Sequence, residues 1–139
     1  MSELNEQYAY FTIVGDFDPE EITRAVRVRP SESWRKGELH PRTRLERKFS
    51  RWSLDSRLPK TEELEAHIND VLSQLDEQPD AFSKTIDLYG GCMQLVGYFH
   101  EVYPGLQFDR RTVEGLARHH LSVDFDFYYL WSDARENTE

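Results

Sequence analysis

The sequence predicts an α+β protein, a two-layer sandwich in which one mostly antiparallel sheet of about five or six strands carries about three helices on one face. Residues 122–131 alternate between polar and apolar side chains, which indicates a half-buried strand. Residues 64–75 repeat apolar side chains at helical spacing, and residues 8–22 pass from an aromatic-rich strand into a helix start. Because strands and helices are intermixed, we expect them to share one core.

The first element is predicted to be a strand over residues 8–14, rich in aromatic and β-branched side chains. It is apolar on both faces, which suits a central position in the sheet. Asp18 is the expected N-cap of the helix that follows, Pro19 suits its first position, and Glu21 is placed to close a capping box. Pro30 lies beyond the predicted end of this helix, near residue 26.

The next segment is predicted to hold two strands separated by a loop. A short edge strand is expected around Trp34, and Gly37 and Pro41 mark the loop. Residues 47–55 are expected to form a half-buried strand with Trp52 and Leu54 on its inner side.

A long amphipathic helix is predicted from a cap at Thr61 to about residue 77. Its apolar stripe consists of Leu64, Ile68, Val71, Leu72 and Leu75. Its opposite face carries five carboxylates: Glu62, Glu63, Glu65, Asp70 and Asp76. The predicted helix therefore presents an acidic surface to solvent.

The remaining elements are expected to be one helical turn at residues 81–84, a strand at 91–100, a helix ending near residue 119 and the strand at 122–131. Residues 132–139 are expected to be a frayed acidic tail after an ordered core of residues 8–131, in a single domain spanning residues 1–139. Phe17-Asp18 and Phe108-Asp109 precede helices in the same way. A duplicated β-α-β unit and independent convergence on the same capping chemistry both explain this echo.

The net charge of −9 is unevenly distributed along the 139 residues. Residues 24–51, the basic segment, hold ten basic and three acidic residues, hence a net charge of +7. Such a polarised domain either docks a partner through its field or neutralises the two zones internally. Since we find no apolar run long enough for a membrane span and no signal-peptide pattern, we expect a cytoplasmic protein that binds no membrane.

The joint at residues 11–23, followed by Pro30, Trp34, the turn at residues 36–38 and the strand segment at 52–54, resembles a bacterial family known as domain of unknown function 4279. The resemblance extends through the leucine-bearing helix to the late helix and the closing strand rich in aspartate and aromatic residues. It implies a small bacterial cytoplasmic protein of α+β type. It implies no catalytic residue.

The histidines, aspartates and cysteine of the sequence predict no metal site and no cofactor. The five histidines show no metal-binding spacing, and the adjacent His119 and His120 suit a helix C-terminus. Asp124 and Asp126 share a strand face, and a carboxylate cluster would arise only if Asp16 and Asp18 approached them. The single cysteine, Cys92, is expected to be a small buried residue.

Three classes of function are consistent with the sequence. The first is a non-catalytic protein-binding module, for example a toxin-neutralising immunity protein, that meets a basic partner through Glu62, Glu63, Glu65, Asp70 and Asp76. The second is a small-anion or ligand binder that uses Trp34, Lys36, Arg42 and Arg51. The third is an enzyme with an unrecognised site. Nucleic acid is a disfavoured partner because the rest of the chain is strongly acidic.

Overall fold

A computed structural model describes residues 4–100 and 105–130 of the protein. This part of the chain forms one sheet and four helices, which confirms the α+β class. The strands are β1 (Glu6–Gly15), β2 (Glu32–Trp34), β3 (Ser50–Asp55), β4 (Cys92–Phe99) and β5 (Ser122–Tyr129). The helices are α1 (Pro19–Val26), α2 (Leu64–Leu75), α3 (Pro79–Tyr89) and α4 (Arg110–Arg118).

The five strands lie in the order β2-β3-β1-β4-β5, so β1 occupies the predicted central position. β1 is antiparallel to both β3 and β4, and β2 is antiparallel to β3. β5 runs parallel to β4, with Leu95 opposite Phe125. The sheet is therefore mixed rather than mostly antiparallel. The reason is that α4 returns the chain to the end of the sheet at which β4 began, as parallel neighbours require.

The core lies on the side of the sheet that carries Phe11, Trp52 and Met93. The Phe82 ring of α3 meets Phe11 and Trp52 edge-on, with centroid separations of 5.9 Å in both cases. The indole Nε1–H of Trp52 donates to the Thr23 hydroxyl of α1 at 3.0 Å, which ties that helix to the sheet. Buried side chains of α2 and α4 join the same cluster. Burial of these apolar groups is the main stabilising contribution to the fold.

The predicted start of α1 is confirmed at Asp18 and Pro19, whereas no capping-box hydrogen bond to the Glu21 side chain is found among the described residues. Asp18 is the N-cap, and its Oδ1 accepts a hydrogen bond from the backbone N–H of Glu20 at 3.0 Å. Pro19 occupies the first turn, where a missing N–H costs nothing. The helix ends at Arg27, which adopts a left-handed conformation with φ 57°.

The predicted start of the acidic helix was wrong. α2 begins at Leu64 with Glu63 as its N-cap, rather than after a cap at Thr61. The residues before it form a turn, since the backbone N–H of Glu62 donates to the carbonyl of Pro59 at 3.0 Å. The residues expected to open the helix therefore belong to a turn that starts at Pro59, and the helix begins after it.

A fourth helix replaces the single turn that was predicted at residues 81–84. α3 has 11 residues, begins with Pro79 at a first-turn position and buries Phe82, Thr85 and Ile86. These buried residues follow the three- and four-residue spacing of a helix face. Pro79 and Asp80, which follow the predicted end of the acidic helix near residue 77, thus open a new helix.

The two β-α-β segments differ in topology. The strand before α1, β1, pairs antiparallel with the later strand β3. The strands on either side of α4, β4 and β5, pair in parallel. Asp109 stands at the N-cap of α4 but makes no side-chain capping hydrogen bond. These differences favour convergence over duplication. Residue 131 of the last predicted strand and the tail at 132–139 lie outside the described residues.

The helices in the described ranges are short. The longest, α2, has 12 residues, and none of those found in 4–100 and 105–130 is long and apolar enough to cross a membrane.

Candidate functional site on the open face of the sheet

The side of the sheet opposite to Phe11, Trp52 and Met93 is called here the open face. Because side chains alternate along a strand, every second residue of each strand points to it. The open face is formed by Glu6, Tyr8, Tyr10, Thr12 and Val14 of β1, Glu32 and Trp34 of β2, Arg51, Ser53 and Asp55 of β3, Cys92, Gln94, Val96 and Tyr98 of β4, and Ser122, Asp124, Asp126 and Tyr128 of β5.

Four tyrosines form the centre of the open face. Tyr8 and Tyr10 stack with ring centroids 6.3 Å apart, and Tyr98 and Tyr128 stack at 5.1 Å with an interplanar angle of 11°. Tyr8 and Tyr98 flank the buried Val96 and share a side-chain hydrogen bond. The rings therefore make one ordered aromatic surface, and the ring of Tyr128 is 43% exposed.

Two of these hydroxyls, those of Tyr8 and Tyr128, are held in their neutral form. Burial, followed by the neighbouring Tyr98 and Tyr10, raises the pKa of Tyr8 to about 12. A hydrogen bond to Asp126, reinforced by its negative charge, raises the pKa of Tyr128. Both groups stay protonated at neutral pH, so each can donate and accept hydrogen bonds.

Carboxylates surround the tyrosines. Asp124 accepts a hydrogen bond from the Nε2 of Gln94 at 3.1 Å, and Asp126 accepts one from the Tyr128 hydroxyl. Partial burial and then the charge of Glu32 raise the pKa of Asp55, while Lys60 acts in the opposite direction. The open face thus combines aromatic rings with exposed negative charge.

The remaining polar groups of the open face are unlike a nucleophilic centre. Burial raises the pKa of the Cys92 thiol, which keeps it in the less reactive protonated form. The hydroxyls of Thr12 and Ser53 bond to each other at 3.1 Å and are almost fully buried. These groups stabilise the sheet and leave the chemistry of the face to its tyrosines and carboxylates.

The carboxylates do not gather into a cluster. Asp18 caps α1, and Asp16 forms an ion pair with Lys36 at 3.5 Å. Asp124 lies elsewhere, on β5 opposite Gln94 of β4. Within residues 4–100 and 105–130, no three histidine, cysteine, aspartate or glutamate side chains are grouped so that they could hold a metal ion.

A sequence model of the family described as Domain of unknown function (DUF4279) matches residues 5–130, most of the chain. The chain belongs to the DUF4279 family. The resemblance inferred from the joint at residues 11–23 is therefore confirmed. No curated protein and no solved structure matches the chain.

This DUF4279 domain brings together only part of the predicted ligand site. The guanidinium carbon of Arg51 lies 5.2 Å from the ring centroid of Trp34, so these two residues are neighbours. Lys36 instead pairs with Asp16. Arg42 lies in the exposed loop between β2 and β3, where its backbone N–H donates to the Nδ1 of His40 at 3.1 Å.

The five predicted partner-binding carboxylates of this DUF4279 domain do not form one free acidic face. Asp70 accepts hydrogen bonds from the backbone N–H and the guanidinium of Arg57, the shortest being 2.8 Å. Asp76 lies 2.7 Å from the Nε2 of the buried His119 and pairs with Arg118.

The other three carboxylates lie at or near the N-terminus of α2. Glu65 accepts a hydrogen bond from the backbone N–H of Asp109, which joins α2 to the start of α4. Glu62 and Glu63 are exposed. Of the five carboxylates, only these two have no hydrogen bond or ion pair with another described residue.

Asp70 gives the DUF4279 domain a testable pH dependence. Burial alone would raise its pKa, but hydrogen bonds from Arg57 outweigh burial and lower it. A lowered folded-state pKa means that the stabilisation is complete above the unfolded value of about 4 and is lost as the pH falls through the folded value. We expect Asp70→Asn to reduce the free energy of unfolding by about 1–2 kcal/mol at pH 7 and by progressively less in acid.

Urea denaturation of both proteins between pH 7 and pH 2 measures this difference. Glu63→Gln on the same helix is the matched control, for which we expect little change at any pH. A loss for Asp70→Asn that stays constant from pH 7 to pH 2 contradicts the assignment.

Sequence reasoning about this DUF4279 domain missed the aromatic surface. Tyr8 and Tyr10 were interpreted as part of a strand buried on both faces. The alternation of these tyrosines with Ala9 and Phe11 could have indicated an aromatic surface, because tyrosine suits a face that is partly exposed to solvent. The prediction that Asp124 and Asp126 share one strand face is confirmed, and the register of β5 with β4 places that face beside Tyr98.

Proposed function

We propose that this DUF4279 domain is a non-catalytic protein-binding module whose open face covers a basic site on its partner. The proposal rests on the four tyrosines of the open face, flanked by Asp124 and Asp126. A toxin-neutralising immunity protein, which blocks a basic active site, is the example that fits best.

The aromatic surface supports binding to a protein. Tyrosine is enriched among the residues that dominate binding energy, since a rigid ring contributes contact area and its hydroxyl a hydrogen bond. The stacked pair of Tyr98 and Tyr128 is already ordered, so little side-chain entropy is lost on binding. The surface is thus prepared for a partner.

The charge of the open face supports a basic partner. Glu6, Asp55, Asp124 and Asp126 are exposed on it. Two cations also lie against its rings, Arg51 beside Tyr10 and Trp34, and Lys60 with its Nζ 5.0 Å from the centroid of Tyr8, so the carboxylates outnumber the cations by four to two. Complementary charge raises the association rate and discriminates against acidic partners. We expect the affinity to fall as salt is added, because exposed charges are screened.

Affinity capture with the immobilised protein tests the proposal, beginning with products of neighbouring genes. The captured partner is then purified and titrated against the wild-type protein and two double variants. We expect Asp124→Asn with Asp126→Asn to weaken binding at least tenfold at low salt, since the variant keeps the shape of the face but loses two charges.

The matched control is Glu62→Gln with Glu63→Gln, which removes two exposed charges just before the first residue of α2. We expect this variant to bind within twofold of the wild-type protein. The opposite pattern would assign the partner to α2 and refute the open-face proposal. Equal binding by all three proteins also refutes it.

A further inference from the structure

A second surface, which adjoins the open face at Trp34, lies beside the exposed loop between β2 and β3. Its groove, called here the Trp34 groove, has a cavity volume of about 530 Å³. That volume is in the range of small-molecule sites. The groove is lined chiefly by Trp34, Leu45, Arg47, Lys48 and Phe49, and the carboxylate-bearing residue Glu46 also lines it.

The groove exposes apolar side chains that the core does not use. Leu45 is 70% exposed and Phe49 is 44% exposed. The Trp34 ring lies against Phe49 with a centroid separation of 6.4 Å, and its Nε1–H donates to the Phe49 carbonyl at 3.0 Å. The aromatic wall is therefore held in place, while its apolar surface remains available to a ligand.

Arg47 is positioned at this wall to donate hydrogen bonds to an anion. Its guanidinium carbon lies 3.8 Å from the centroid of the Trp34 ring. Stacking uses the face of the guanidinium and leaves its N–H groups directed outward in the plane. Its backbone is fixed too, since its N–H donates to Glu38 at 2.7 Å and its carbonyl accepts from Gly37 at 2.9 Å.

Arg47 and Lys48, which line the groove, form no ion pair within the described ranges, and Glu46 is the one carboxylate-bearing residue beside them in the lining. Of the ten basic residues in the basic segment, only Lys36 forms an ion pair with another residue in the described ranges. The Nε of Arg51, next to Trp34, is buried and has no hydrogen-bond partner among the described residues. Within the described ranges, the basic segment is therefore joined to the acidic remainder by one direct ion pair, Lys36 with Asp16.

We propose that the Trp34 groove binds a small organic anion whose apolar ring or chain packs on Phe49 and Leu45 while its carboxylate or phosphate accepts hydrogen bonds from Arg47. A planar anionic group matches the fork of N–H donors in a guanidinium. The apolar part supplies the burial that an exposed ion pair alone lacks. Neither half of such a ligand would bind well by itself.

Nuclear magnetic resonance titration of the isotope-labelled protein tests this at pH 7 and constant ionic strength. The probe is 3-phenylpropionate, and its uncharged amide and acetate are the matched ligands. We expect saturable shifts of the Trp34 indole N–H and of backbone amides 45–49 with phenylpropionate. We expect binding at least fivefold weaker for the amide and no saturation with acetate.

Arg47→Gln tests the donor, and Arg24→Gln, an exposed arginine of α1, is the matched control. We expect at least fivefold weaker binding of phenylpropionate for the first variant and a change within twofold for the second. Amide shifts outside the groove report whether each variant is folded. If Arg47→Gln disturbs them, Arg47→Lys, which keeps the charge but lacks the planar fork, takes its place and is also expected to bind more weakly.

Three results overturn the proposal: equal affinity for the acid and its amide, equal affinity of wild type and the Arg47 variant, or shifts that map away from the groove. A ten-nucleotide oligothymidylate is titrated in parallel. Strong, salt-dependent binding of this oligonucleotide without any response to phenylpropionate also overturns it, in favour of single-stranded nucleic acid. None of these results bears on the open-face partner, which is tested by different variants.

Discussion

Replacing Phe82 with alanine is expected to lower the free energy of unfolding by about 3–5 kcal/mol. Phe82 is completely buried and meets both Phe11 and Trp52 edge-on. It is the residue through which α3 joins the two central antiparallel strands. The substitution removes the buried apolar surface of the phenylalanine ring. It also leaves a cavity between Phe11 and Trp52, which these rigid rings cannot move to fill.

Urea unfolding followed by circular dichroism measures this loss. Leu88→Ala is the matched control, because Leu88 lies on the same helix but is 71% exposed. We expect a change within about 0.5 kcal/mol for the control. A loss of less than about 1 kcal/mol for Phe82→Ala would show that α3 does not rest on the sheet as described.

Replacing Gly97 with alanine is expected to destabilise the protein by about 1–3 kcal/mol through overpacking. Gly97 lies on the core side of β4, and an added Cβ would stand 2.5 Å from the Cζ of Phe99 and 3.2 Å from the Cδ1 of Phe127. Phe99 is fully buried, so its ring cannot move aside without displacing its neighbours. The glycine is required here for space.

Gly105→Ala is the matched control for this substitution. A Cβ at residue 105 would meet none of the described residues within 4 Å, so we expect a change within about 0.5 kcal/mol. Thermal unfolding of both variants, compared at the same pH, gives the difference. Equal stability of Gly97→Ala and the wild-type protein would contradict the described packing of Phe99 over β4.

Local signals predicted the elements whose ends are set by neighbouring residues. Asp18 and Pro19 define the start of α1, and the alternation of residues 122–131 defines β5. Pro79 shows the limit of such signals, because proline suits the first turn of a helix as well as the end of another. The direction of β5 was also out of reach, since it depends on how α4 crosses the sheet.

The candidate sites could be predicted only in part, because their residues are joined by distant segments. Trp34 and Arg51 were predicted together, and they are register partners in β2 and β3. Arg47 was missed as a site residue because the loop geometry that stacks it on Trp34 leaves no pattern in the sequence. Likewise, nothing near Asp76 in the sequence revealed that His119 and Arg118 would pair with it.

The central position of β1 has a consequence for how the protein acquires its structure during synthesis. β1 precedes every other strand along the chain, yet one of its edges is completed by β4, with Ala9 opposite Leu95. A ribosome must therefore extend the chain by more than eighty residues before that edge is paired. Contacts so distant slow folding, and until β4 emerges the nascent chain exposes a hydrophobic strand that chaperones would recognise.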